Sequence, residues 1–139
     1  MKGHIYTGEP LAFLLDESQI QETIEPYFMA RIVDVAQFLR LYPFEGSIRP
    51  FHFVVTDPMA EWNNGIFSVA TDREGTVSVT DEPAGKAVEL DIQTLSAMLM
   101  GYKRPSYLAR IERLHTDKRT LRLLEEIIPD GQPYFSDYF

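Results

Sequence analysis

Between residues 51 and 92 the chain is cut into short strand-forming runs, each closed by a turn signal, and this punctuation narrows the possible folds most. Phe51-His52-Phe53-Val54-Val55-Thr56 lies between Pro50 and Asp57-Pro58, which predicts a strand bounded at both ends. Residues 66–71 and 76–80 flank Asp72-Arg73-Glu74-Gly75. A four-residue connection with glycine where φ must turn positive predicts a hairpin. Asn63-Asn64-Gly65 marks the turn before it, and the alternation over 87–92 predicts another strand. Residues 27–33, rich in strand formers, predict one more.

Helical patterns lie on either side. Asp34 is placed to cap a helix, because its carboxylate can accept an otherwise unpaired backbone N–H. Val35, Phe38, Leu39 and Tyr42 then form one apolar stripe, and Pro43 ends it. Towards the C-terminus, Leu95, Met98 and Leu99 predict a short helix closed by Gly101. Leu108, Ile111 and Leu114 predict a second, and Leu121, Leu124 and Ile128 a third, stopped by Pro129 and Gly131. These elements predict an α+β domain with a mixed or antiparallel sheet of about five strands packed with helices. Residues 3–6 suggest a short strand and 11–15 an apolar run, but 16–25 carry little pattern. Residues 1–25 therefore read as the remnant of a preceding region, and 26–139 as the domain.

At 139 residues the chain fits one domain large enough to fold without staples. It has no cysteine, which excludes disulfides, thiolate zinc sites and cysteine nucleophiles and makes the cytoplasm the default compartment. No apolar run is long enough to cross a membrane, and the N-terminus is not a signal peptide. His4, His52 and His115 have no metal-ligand spacing, so no metal site is expected. His52, between Phe51 and Phe53, should point away from the face they share. No serine sits in a Gly-x-Ser-x-Gly context, and no glycine-rich loop could cradle phosphate.

A net charge of −8 opposes nucleic-acid binding. The charge is uneven: Lys103, Arg104, Arg110, Arg113, Lys118, Arg119 and Arg122 face only Glu112 and Asp117, so residues 103–122 carry +5 and the rest −13. That segment is either a solvated helical face or a surface meeting an acidic domain or a phosphate-bearing ligand. The acidic remainder would attract a polycationic substrate.

The chain ends Pro-Tyr-Phe-Ser-Asp-Tyr-Phe. Chain ends are usually polar and loose; Tyr134, Phe135, Tyr138 and Phe139 instead predict a docked tail. Docking could simply complete a core. It could also carry the terminal carboxylate of Phe139 into a site, where burial would have to raise its pKa for work as a base.

The ordered set of Phe28-Met29-Ala30-Arg31-Ile32-Val33-Asp34-Val35, Phe38-Leu39, Tyr42-Pro43-Phe44, Val55-Thr56-Asp57, Trp62-Asn63-Asn64-Gly65, Leu90-Asp91-Ile92, Leu95-Ser96-Ala97, Gly101-Tyr102 and Asp137-Tyr138-Phe139 resembles the C-terminal region of Eis-type enzymes of the GNAT N-acetyltransferase family. The resemblance covers residues 26 to 139 and implies a sterol-carrier-protein-like domain behind two GNAT-like regions. It implies acetyl-CoA as donor and a primary amine, aminoglycosides among them, as acceptor. It also implies assembly into a homo-oligomer.

In that family the last residue's carboxylate acts as general base in the first region's active site, and a tyrosine of that region is the acid. Carried over, Phe139 is the catalytic position, with Asp137 and Tyr138 orienting it. Arg31 and Asp34 match family positions but are given structural roles. The glycine signature that holds the CoA pyrophosphate at a helix N-terminus is absent; Arg73-Glu74-Gly75 and Gly85-Lys86-Ala87 have the wrong spacing. No cofactor site is therefore expected here, and the chain alone is expected to be inactive, its partners being the upstream GNAT regions and a small-molecule amine. The other reading is a non-catalytic module binding a lipid or other apolar ligand, since a sterol-carrier-like fold can hold a cavity.

Overall fold

A computed structural model describes residues 29–72 and 76–131. Over these the order is α1 (Val35–Leu41), β1 (Phe51–Thr56), a 3-10 turn (Glu61–Asn63), β2 (Gly65–Thr71), β3 (Val77–Thr80), β4 (Lys86–Asp91), α2 (Ile92–Leu99), α3 (Pro105–Arg110), β5 (Leu114–His115) and α4 (Lys118–Ile127). The strands form one sheet in the order β3-β2-β1-β4-β5. The β1–β4 pair is parallel and the other three are antiparallel. The α+β fold with a five-stranded mixed sheet is the one expected.

Alternation decides which face is covered. Phe51, Phe53 and Val55 of β1, Phe67 and Val69 of β2, and Val88 and Leu90 of β4 point to the helices and are buried with Val35, Leu39, Leu95, Met98 and Leu124. Each such side chain contributes about 1.5–3 kcal/mol on burial. His52, Val54 and Thr56 point the other way, as expected for His52.

The hairpin forms: Val69 pairs with Val79 and Thr71 with Val77. Asp72 N–H donates to Thr76 O at 3.1 Å, and its carboxylate accepts from Thr76 N–H at 2.9 Å. From β3 the chain must cross β2 and β1 to enter β4, about 14 Å at ordinary strand spacing. Residues 81–85 make this crossing along the face opposite the helices. Ser68 Oγ accepts from Ala84 N–H and donates to Glu82 O, and His52 Nδ1 lies 3.0 Å from Ala84 O. Gly85 completes the crossing at φ +68.

Two expected elements differ. Residues 29–33 are not a strand; residues 27–28 lie outside the described part. The backbone there is satisfied by side chains instead of a ladder: Ser96 Oγ accepts from Ile32 N–H at 3.1 Å, and Trp62 Nε1 and Asn63 Nδ2 both donate to Val33 O. The helix expected through Leu114 stops at Arg110. Glu112 takes the left-handed conformation, φ 60, and Arg113 N–H donates to Leu108 O at 2.9 Å. That closure turns the chain and delivers Leu114 to β5 beside Leu90. Ile111 is left exposed.

Candidate functional site

Two side-chain networks fix the chain where it enters and leaves the described core. At the entrance Asp57, at the end of β1, is 1% exposed. Arg31 Nη2 lies 2.6 Å from both carboxylate oxygens, Asn63 Nδ2 donates at 2.9 Å, and the N–H groups of Met59 and Ala60 donate at 3.0 and 3.2 Å. Asn63 is fully buried and satisfied: its amide donates to Val33 O and Asp57 and accepts from Val35 N–H at 3.0 Å. Asp34 caps α1 as expected, accepting from Gln37 N–H at 2.8 Å. Arg31 therefore ties the lead-in segment to the end of β1, while Asp34 caps α1.

Burial pushes the Asp57 carboxyl up, but hydrogen bonds from Asn63, Met59 N–H and Arg31, with the Arg31 charge, outweigh it and hold the group down to about 2. A carboxyl depressed in the folded state stabilises the fold above its ordinary value of 3.8, and that contribution is lost as pH falls towards about 2. Asp57→Asn is therefore expected to unfold at lower urea than wild type at pH 7, with the gap narrowing between pH 4 and 2. A gap independent of pH would contradict the charged network.

At the exit Arg104 spans α3 and α4. Its Nε donates to Glu125 Oε2 at 2.9 Å, Nη2 to Glu125 O at 2.7 Å, and Nη1 to Ile128 O and Pro129 O at 3.0 and 3.1 Å. Glu125 Oε1 accepts from Ser106 N–H at 2.6 Å, so each helix end closes the other. Burial raises the Glu125 carboxyl, but the Ser106 hydrogen bonds and Arg104 bring it below its ordinary value. The nearby Tyr42 phenol is pushed up to about 12, by burial first and by Glu45, against the pull of Arg104.

A groove of about 290 Å³ opens beside β4, lined by Thr56, Glu89, Asp91, Glu112, Arg113 and His115 among others. Two of its charges, Asp91 and Arg113, are engaged with each other. Arg113 Nη2 meets Asp91 Oδ2 at 2.8 Å, while Asp91 Oδ1 caps α2 through Thr94 N–H at 2.7 Å. His52 and Ser68, neighbours across β1 and β2, are both committed to the crossover, so they form no nucleophile–base pair. Among the described residues no group of His, Asp or Glu is placed to hold a metal ion, and no helix is long and apolar enough to cross a membrane.

The expected catalytic and orienting residues, Phe139, Tyr138 and Asp137, lie outside the described residues, as do Tyr134 and Phe135. Arg104 and Asp57 were not singled out by sequence reasoning. Arg104 sits in the basic segment, where two of seven cations, Arg104 and Arg113, are tied in ion pairs and Lys103 and Arg110 lie over the Tyr107 ring.

A family model described as sterol carrier protein domain matches residues 35–136. No curated protein gives a match. Among solved structures, an Enterococcus faecalis protein described as a conserved protein of unknown function and probable N-acyltransferase is 33% identical with a TM-score of 0.83, over 96% of this chain and 34% of that one. A GCN5-related N-acetyltransferase from Anabaena variabilis is 26% identical with a TM-score of 0.72, over 91% of this chain and 32% of that one. Eis1 from Mycobacterium abscessus, at 23% identity and a TM-score of 0.65 over 78% of this chain and 27% of that one, shares the fold. The chain thus spans about a third of the length of the structures it matches.

Proposed function

We propose that this chain, which belongs to the sterol carrier protein domain family, serves as the C-terminal domain of an Eis-type GNAT N-acetyltransferase that moves an acetyl group from acetyl-CoA to a primary amine. The observation that carries the reading is the alignment of nearly the whole chain with one third of a probable N-acyltransferase at 33% identity. On this reading the upstream GNAT regions hold acetyl-CoA and the acid tyrosine, and this domain supplies the terminal carboxylate of Phe139. The amine attacks the thioester carbonyl and loses its proton to that carboxylate, and CoA leaves as the thiol, protonated by the upstream tyrosine. Tyr138 and Asp137 orient the carboxylate. The acceptor is a small amine, aminoglycosides included, and the enzyme is a cytoplasmic homo-oligomer.

The surface around the lead-in segment supports a covering neighbour. Met59 is 80% and Trp62 67% exposed, and Val33 is exposed between them, with Trp62 Nε1 bonded to Val33 O and Arg31 Nη1 against Met59 Sδ. Apolar side chains gathered at the point where the preceding chain joins suit contact with an upstream region. The lipid-binding reading is less well supported, because the apolar side chains facing the helices pack on one another and the groove beside β4 is lined by charge.

The test compares the isolated chain with the whole polypeptide. The isolated chain should neither bind acetyl-CoA in calorimetry nor acetylate a panel of primary amines, and the whole polypeptide should do both. Turnover by the isolated chain, or a whole polypeptide inert towards every amine, would overturn the reading.

A further inference from the structure

Val33, Met59 and Trp62 stand on the surface at 68%, 80% and 67% exposure, and Met29, 97% exposed, leads into them. Contacts hold them together. Trp62 Nε1 donates to Val33 O at 2.8 Å. The Arg31 guanidinium reaches Met59 Sδ at 3.4 Å through Nη1 and the Asp57 carboxylate at 2.6 Å through Nη2. Asn63, fully buried, ties the same strip from beneath through Val33 O and Val35 N–H. The one polar group of the Trp62 side chain is thus already bonded within the domain, and what the residue turns outward is apolar ring. Large apolar side chains held rigidly in water are the composition of an interface anchor, because little order remains to be lost on contact.

We propose that Val33, Met59 and Trp62 form a preassembled docking face for the upstream part of the same polypeptide, with Trp62 as its anchor; this rests on the reading that further regions precede this domain. The tether favours that occupant over a second copy. Residues 31–33 are fixed to the end of β1 and are themselves part of the face, so whatever precedes them is bonded to its rim. A neighbour joined so closely meets the face at an effective concentration on the order of millimolar, which a second copy in dilute solution does not reach. The chain spans 34% of the probable N-acyltransferase it matches, which leaves the larger part of such a polypeptide to supply the neighbour.

The chain has no cysteine, so Met59→Cys puts a single thiol of this domain on the face, and Tyr102→Cys puts one on the exposed connection between α2 and α3. Alkylation at each position is followed by peptide mass mapping, in the 139-residue chain and in the whole polypeptide. The thiol at position 59 should react at least about tenfold more slowly in the whole polypeptide, less than one buried anchor is worth, while the thiol at position 102 reacts equally in both. Adding Trp62→Ser should return position 59 to its rate in the chain alone. That substitution leaves Val33 O bonded to Asn63 Nδ2, and circular dichroism should show the fold kept. Equal rates at position 59 in the two proteins, or the same slowing at both positions, would overturn the docking face. So would protection in the chain alone that grows with its concentration, which would give the face to a second copy. Amine acetylation by the same preparations separates this inference from the reading beneath it. An active enzyme with position 59 open sinks the docking face and keeps the acetyltransferase; an inert polypeptide with position 59 covered does the reverse.

Discussion

Adding a few glycine and serine residues after Phe139 of the whole enzyme is expected to lower acetyl transfer by about 10²-fold or more, the usual worth of a positioned general base. The extension turns the terminal carboxylate into a neutral amide, which cannot take the ammonium proton. It leaves Tyr134, Phe135, Tyr138 and the Phe139 ring in the sequence. It also leaves untouched the contacts of Arg104, which reach Ile128, Pro129 and Asp130. The expected signature is a fall in kcat with little change in KM for acetyl-CoA, because on the proposed reading the donor site belongs to the upstream regions. Thermal unfolding should match wild type. An extended enzyme that keeps its rate would show that the carboxylate does no chemistry, and the tail would then serve packing alone.

Gly85→Ala is expected to cost this domain most of its stability. Gly85 sits at φ +68, and a Cβ there would stand 1.8 Å from Pro50 O and 2.6 Å from its carbonyl carbon. The left-handed backbone alone costs a non-glycine residue about 1–2 kcal/mol. The collision adds to this, because the atom struck is backbone leading into the central strand. Phe51 is paired on both sides, to Val69 of β2 and Lys86 of β4, so Pro50 has little room to retreat. Small domains hold only about 5–15 kcal/mol in total. Gly46→Ala is the control: its φ is +72, but nothing lies within 4 Å of the added carbon. It should show the backbone cost without the collision. Urea midpoints followed by circular dichroism should fall far more for Gly85→Ala; equal shifts would mean that the crossover does not press on β1.

The readable parts of the fold were those set by local chemistry. Pro50 and Asp57-Pro58 bracket β1, Asp34 caps α1, and Gly101 closes α2 at φ +77 with Tyr102 N–H donating to Ala97 O. Distant partners defeated the reading. Residues 29–33 have strand composition, but Ser96, Trp62 and Asn63 take their backbone groups from 29 to 64 positions away. Leu108, Ile111 and Leu114 keep a helical period, yet β5 draws Leu114 to the sheet edge. The parallel pairing of β1 with β4 gave no signal of its own, since alternation is the same in either direction. Arg104 looked like one cation among seven because nothing near it names Glu125 or Pro129 as partner. Asp57 read as punctuation and as part of the resemblance, not as the centre of a buried network. The candidate catalytic group, Phe139, rests on the resemblance and the aromatic ending alone and lies outside the described residues.

On the proposed reading this chain works as one domain of a longer acetyltransferase. The most direct measurement is the intact mass of the native gene product, immunopurified from its own cells. The chain has a mass of 16.0 kDa and spans 32% to 34% of two of the structures it matches, so the expected product is about three times as heavy. A native product of 16.0 kDa would contradict it, leaving a chain with no acetyl-CoA signature of its own and moving an apolar-ligand module to first place.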